Sequence, residues 1–167
     1  MKSITAITCT LLTAAHLVSA VPAPQAATTP VDSNDTTGQS VSVSYDQKYD
    51  VGTSSLNTVA CSDGANGLES DDYTTFGSLP TFPLIGGAPT IDGWNSSACG
   101  TCYQLHFQSG KIDETINILA IDAATGGFNI GLTAMNRLTN GQAENLGRVT
   151  ATYFEVDGSI CGLSSEN

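Results

Sequence analysis

Basic side chains are scarce in this sequence. Lys and Arg number 5 against 16 Asp and Glu, a formal charge of -11 over 167 residues. A chain this acidic repels phosphate backbones, which excludes sequence-independent binding of nucleic acid. It has no basic cluster to hold it on an anionic membrane surface. Charged residues of both signs make up only 13%, about half the usual share. Beyond the first twenty residues no run of about 18 apolar residues exists, so no helix-type membrane span is expected. Histidine is limited to His16 and His106. Nucleophile systems of the Ser-His-Asp or Cys-His kind need a histidine base. His106 sits in mid-strand on the face opposite Tyr103 and Phe107 and reads as an ordinary exposed or hydrogen-bonded side chain. G-x-S-x-G, H-E-x-x-H and phosphate-binding glycine motifs are missing.

What is present begins with an export signal. Met1-Lys2 forms a short positive start, Ile4 to Val18 is mostly apolar, and Val18-Ser19-Ala20 ends on small residues. That is the plan of a secretory signal peptide over residues 1–20. Cleavage there removes Cys9, His16 and Lys2. Cys61, Cys99, Cys102 and Cys161 then form an even set in an oxidising compartment, and two structural disulfides are expected, with three pairings open. Cys99-Gly100-Thr101-Cys102 is a C-x-x-C, but it has no second C-x-x-C for a zinc site and no βαβ setting for a redox site. No metal or cofactor is expected. Residues 21–40, rich in Pro, Ala, Thr and Ser, read as a flexible tail with too little apolar surface to offset its ordering entropy. Asn34-Asp35-Thr36 and Asn95-Ser96-Ser97 are N-glycosylation sequons.

The domain proper, residues 41–167, reads as mainly β with short helices. Val41–Tyr45 and Tyr103–Phe107 alternate with period two, and Ile116–Ile121 is a nearly continuous apolar run. Leu56–Cys61 and Val149–Val156 are further expected strands, and Ser109-Gly110 offers a turn. Leu132, Met135 and Leu138 have helical spacing, with Asn129 as the candidate cap. Many short strands and 17 glycines favour a small closed barrel or a sandwich. Most carboxylates, such as Asp71-Asp72 and Asp113-Glu114, fall in stretches that read as solvated loops. Asp122 differs: it ends the apolar strand and precedes Gly126-Gly127, so it is a candidate site residue.

Several ordered motifs carry the reading further. These are CSDGANGL (61–68), FPLIGG (82–87), GWNSSACGTC (93–102), NILAIDAATGGFNI (117–130), LTNGQA (138–143), LGRV (146–149) and a terminal Cys-Gly-Leu. Together they closely resemble the cerato-platanin family of small secreted fungal proteins over about Val43 to Leu163. The resemblance implies a six-stranded double-ψ β-barrel like the first domain of expansins. It also implies disulfides Cys61–Cys99 and Cys102–Cys161. By the same resemblance the protein is secreted, extracellular and associated with the fungal cell wall. It binds chitin or N-acetylglucosamine oligomers, loosens cellulosic material without hydrolysis, self-assembles at interfaces and is recognised by plant hosts as an elicitor of defence. The acidic residue shared with expansins matches Asp122. Groove residues match Ser62, Asp63, Asn66, Gly100, Thr101 and Asn129.

The chain departs from the family at Ala123, where many members have histidine, so histidine-assisted proton transfer is excluded there. The likeness to expansins is partial, since no second, aromatic-surfaced carbohydrate-binding domain is expected. A sugar surface needs planar hydrogen-bonding side chains beside an apolar wall. Asp, Asn and Ser near Cys61 and Asn129 supply the first; Tyr45, Tyr73 and Trp94 are candidates for the second, with a core position as the alternative for Trp94. The expected function is non-catalytic carbohydrate binding. The alternative is a weak glycoside hydrolase using Asp122 as acid, which needs a second carboxylate roughly 5 to 9.5 Å away, with Asp63 the one to test. A third class is a surface protein whose only role is recognition by a host.

Overall fold

Six strands close on themselves in the order β1-β5-β2-β4-β3-β6 in the computed structural model, which describes residues 38–164. The expected signal peptide (1–20) and residues 21–37 of the expected tail, with the Asn34 sequon, lie outside the described residues. The strands are β1 (Gln39–Tyr45), β2 (Ile85–Ala88), β3 (Cys102–Ser109), β4 (Ile112–Ala123), β5 (Phe128–Ile130) and β6 (Arg148–Val156). Two short helices, α1 (Leu132–Leu138) and α2 (Ala143–Leu146), fall between β5 and β6. This is the small barrel expected of the family, and closure rather than a sandwich removes the sheet edges.

Alternation places the core. Val43 is fully buried at the centre of β1, between Phe128 on the parallel strand β5 and Val149 on the antiparallel strand β6. Tyr103, Leu105 and Phe107 face inward from β3. Ile118, Leu119, Ala120 and Ile121 of β4 are all fully buried, as a central strand covered on both faces requires. Tyr103, Phe128 and Tyr153 meet edge to face with centroids 5.2–5.8 Å apart, a favoured aromatic geometry. Gly86 of β2 is demanded by packing: a Cβ there would stand 2.5 Å from the Asn129 carbonyl oxygen.

Several expectations are corrected. Leu56–Cys61 is not a strand; Leu56–Thr58 is a 3₁₀ turn. Ser55 accepts a hydrogen bond from Asn57 N, and Thr58 Oγ1 donates back to the Ser55 carbonyl. These local bonds compete with a ladder. The buried Leu56 and Val59 are three apart, a spacing that a strand would place on opposite faces.

Gln39 and Ser40, expected in the tail, belong to β1, where they pair with Tyr153 and Thr152. Asp113 and Glu114 lie in β4, since the two-residue turn Gly110-Lys111 lets the β3–β4 ladder run out to Ser109↔Ile112. Asp113 there takes His106 Nε2 at 2.7 Å and Gln108 Nε2 at 3.1 Å. Asn129 does not cap α1; it belongs to β5. The carboxylate of Asp50, far away in sequence, accepts from Leu132 N at 2.6 Å and Thr133 N at 3.1 Å instead.

Cys61 bonds Cys99 and Cys102 bonds Cys161, with Cα separations of 5.4 and 5.7 Å. The bridges close spans of 38 and 59 residues. Each stabilises by about 4 kcal/mol on the loop-entropy model. The first ties the 61–68 loop to the 93–102 loop; the second ties the start of β3 to the last 3₁₀ turn (Gly158–Cys161).

Candidate functional site

Asp122 is inside β4, one residue before its end, and its carboxylate is 15% exposed. Its Oδ1 accepts from the backbone N–H of Ala60 at 3.1 Å and of Ala123 at 2.9 Å. Its Oδ2 accepts from Tyr49 Oη at 3.0 Å and Lys48 Nζ at 3.2 Å. Four donors fill the acceptor sites of one carboxylate. Lys48 is further held over the Tyr49 ring, 4.7 Å from its centroid. Burial first, then the charge and hydrogen bond of Asp122, push the Tyr49 phenol well above its ordinary pKa. Asp122 thus ties the β4 terminus to two distant segments, 46–50 and 58–61. It orients Lys48 and Tyr49 at the rim of a small depression that also contains Ser44, Asn129 and Arg148, about 290 Å³ in volume.

The two loops joined by Cys61–Cys99 form a second unit. Asn66 N donates to Asn95 Oδ1 at 3.0 Å, and Asn66 Nδ2 donates to the Asn95 carbonyl at 2.9 Å. The paired bonds hold Asn95 in the left-handed region, φ 57°, which asparagine tolerates better than most residues. One residue earlier, Trp94 points out of the protein and is 64% exposed, so it is not a core residue. Its Nε1 donates to Asp63 Oδ1 at 2.7 Å, and Ser62 Oγ donates to the same oxygen at 3.2 Å. The indole N–H, then the Ser62 hydroxyl, hold the Asp63 carboxyl below the usual carboxylate range.

Alongside these loops runs the larger groove, about 740 Å³. Asn66, Gly100 and Thr101 line it, as do Leu68, Tyr73 and Ser97. Its far wall comes from the end of β6 and the turn after it, where Glu155, Val156 and Asp157 stand. The groove therefore combines neutral hydrogen-bonding groups with a half-buried tyrosine and apolar patches. Its carboxylates are Asp71, Asp72, Glu155 and Asp157, and none of its lining residues is basic.

The seven residues singled out from sequence fall into separate places. Asn66, Gly100 and Thr101 share the large groove, whereas Asn129 lines the small depression beside Asp122's partners. Asp63 and Ser62 hold Trp94, and Ser62 is itself buried. Asp63 is thus engaged with Trp94 and Ser62, while the partners of Asp122 are Lys48, Tyr49, Ala60 and Ala123. Asp71, Asp72 and Tyr73 line the groove, with the acidic pair exposed as the sequence reading has it. Glu155 and Asp157, of which the sequence reading makes no use, line it too: barrel closure and the Cys102–Cys161 bridge bring them beside Thr101, a proximity with no local signal. Among the described residues no group of three or more His, Cys, Asp or Glu is arranged to hold a metal ion.

A closed six-stranded barrel, two bridges and an open polar groove define a small disulfide-stabilised barrel protein. The cerato-platanin family model matches residues 41–163, and the chain belongs to that family. It is 57% identical over 121 residues to "Allergen Asp f 15" of Aspergillus fumigatus, covering 72% of this chain and 76% of that one. The crystal structure of cerato-platanin 2 from M. perniciosa superposes with a TM-score of 0.72 at 48% identity, covering 75% of this chain and all of that one, 100%. The solution structure of the "fungal elicitor Cerato-Platanin" has a TM-score of 0.64 at 42% identity, covering 72% of this chain and 96% of that one.

Proposed function

We propose that this protein is a secreted, non-catalytic carbohydrate-binding protein of the fungal wall. It takes chitin-type N-acetylglucosamine oligomers in the large groove, loosens polysaccharide (cellulose included) without hydrolysis, and is recognised by plant hosts as an elicitor. Self-assembly of the same chain at interfaces belongs to this reading. The groove carries the proposal: amide and hydroxyl groups from Asn66, Ser97 and Thr101 stand beside Tyr73 and Leu68 in one open cleft. This is the mixture by which neutral sugars are held. An uncharged glycan suffers no Coulomb repulsion from a chain of charge -11. Family membership and the relative described as a fungal elicitor support the biological side.

Hydrolysis is the weaker reading. A general acid needs an O–H aimed at the leaving oxygen and a raised pKa. The oxygens of Asp122 already accept four hydrogen bonds. The carboxyl groups whose acidity shifts, Asp63, Asp113 and Asp157, all shift downward, each first through a hydrogen bond from a neighbouring side chain. The test is a loaded strip of cellulose or chitin film. The protein should increase extension under constant load while releasing no new reducing ends. Extension that appears only in step with reducing ends would replace this reading with the hydrolase one.

A further inference from the structure

The single tryptophan of the chain is the most exposed large apolar side chain among the described residues, 64% accessible. A free-swinging surface indole would carry little meaning, but this ring is fixed. Its N–H is bonded to Asp63 at 2.7 Å, and Asp63 is braced by Ser62. The backbone on one side is set by the two Asn66–Asn95 bonds. The Cys61–Cys99 bridge locks the two loops together. Every constraint orients the ring, and none covers its face. A pre-oriented apolar surface left in water is the signature of a recognition element, because its ordering cost is already met before a ligand arrives.

We infer that Trp94 is a stacking platform for flat, β-1,4-linked pyranose chains. The face of an indole is electron-rich. Sugar rings with equatorial substituents expose C–H bonds on both faces, and equatorial β-1,4 linkage keeps successive rings in one ribbon. Such a ribbon can lie on one rigid platform, whereas an α-1,4-linked chain curves away from it. The platform stands on the loops that also supply part of the groove wall. Asn66 and Ser97, which line the groove, lie on the same two loops that carry Asp63 and Trp94. The inference rests on the glycan-binding reading and names the sugar geometry it selects. Asp63 is then a positioning residue for the ring and makes no sugar contact of its own.

Because the protein holds one tryptophan, its fluorescence reports this site alone. N-acetylglucosamine and cello-oligomers should shift the emission to shorter wavelength and shield it from iodide; malto-oligomers should not. Trp94→Ala should keep the melting temperature, since the ring is exposed, and weaken sedimentation with insoluble chitin at least tenfold. Asp63→Ala should lower both the fluorescence anisotropy and the binding. Asp63→Asn should restore both, because an amide oxygen still accepts from the indole. If the wild type sediments with chitin, Trp94→Ala binds as well as wild type and the emission does not move, the platform is wrong while the glycan reading stands. Equal response to malto-oligomers would overturn the stated selectivity. No sedimentation of the wild type would overturn both.

Discussion

Removing the carboxylate of Asp122 should destabilise the barrel whatever it does to activity. In Asp122→Ala the Tyr49 hydroxyl, on a residue 1% exposed, and the Ala60 N–H lose their acceptor together. An orphaned buried donor costs about 1–3 kcal/mol. The Lys48 bond adds little, because that side chain is 49% exposed. The sum is about 2–6 kcal/mol, or a fall of about 10–20 °C in melting temperature for a domain of this size. Asp122→Asn should cost less, about 1 kcal/mol. Its amide oxygen can keep the Ala60 and Ala123 bonds, and its NH₂ can donate to Tyr49 Oη with the phenol turned to accept. Only the bond from Lys48 is then lost. Urea melts of wild type, Asn and Ala variants read this order directly, and a double-mutant cycle with Tyr49→Phe should show coupling between the two sites. If Asp122→Ala melts with the wild type, the four contacts carry no stability, and the assignment of Asp122 as the anchor of Lys48 and Tyr49 is wrong.

Two further predictions concern the same framework. Tyr49 and Tyr103 have phenols raised above their usual range, first by burial. Below about pH 10 both are neutral folded and unfolded; above it the unfolded chain ionises while the buried phenols do not, so stability should fall as pH rises. Alkaline melts should show this slope, reduced in Tyr49→Phe; a flat profile would contradict the burial argument. Reduction of both bridges should remove several kcal/mol, seen as unfolding at much lower urea once dithiothreitol is added. Unchanged urea midpoints under full reduction would show the bridges to be energetically idle.

Where polarity alternates over a full strand, the fold is legible from sequence. Val41–Tyr45 and Tyr103–Phe107 were placed by period two, and 116–121 by its unbroken apolar run, because a strand buried on one or both faces leaves those marks. The helix at Leu132–Leu138 showed its 3.6 period for the same reason. The β2 and β5 segments left no such mark. IGGA and FNI are four and three residues long, too short for a period to register. Their identity as strands comes from neighbours: Gly87 pairs with Asn129 of the adjacent strand β5 on one side and with Asp122 of β4 on the other. The cap of α1 is equally non-local, since Asp50 reaches it across 82 residues.

The site was legible only in part. Motif resemblance drew attention to Asn66, Gly100 and Thr101, which do share a groove. Glu155 and Asp157 reach that groove through closure of β6 onto β3 and the second bridge, and nothing near them in sequence announces it. Its place at the end of an apolar run singles out Asp122 in the sequence, but the partners of its carboxylate carry no local mark. Lys48 and Tyr49 come from a segment more than seventy residues earlier. For Trp94 a core position stands as the alternative to the sugar-facing wall, because a lone aromatic between glycine and asparagine has no periodic context.

The central claim is that this barrel binds chitin-type oligomers and leaves them whole. Calorimetric titration of the mature protein with soluble N-acetylglucosamine oligomers, followed by chromatography of the same sample, tests it most directly. The account predicts saturable heat, weaker when Asn66→Ala and Thr101→Ala open the groove, and an oligomer profile unchanged after long incubation. Absence of binding by a correctly folded protein would contradict the claim, and so would steady accumulation of shorter oligomers.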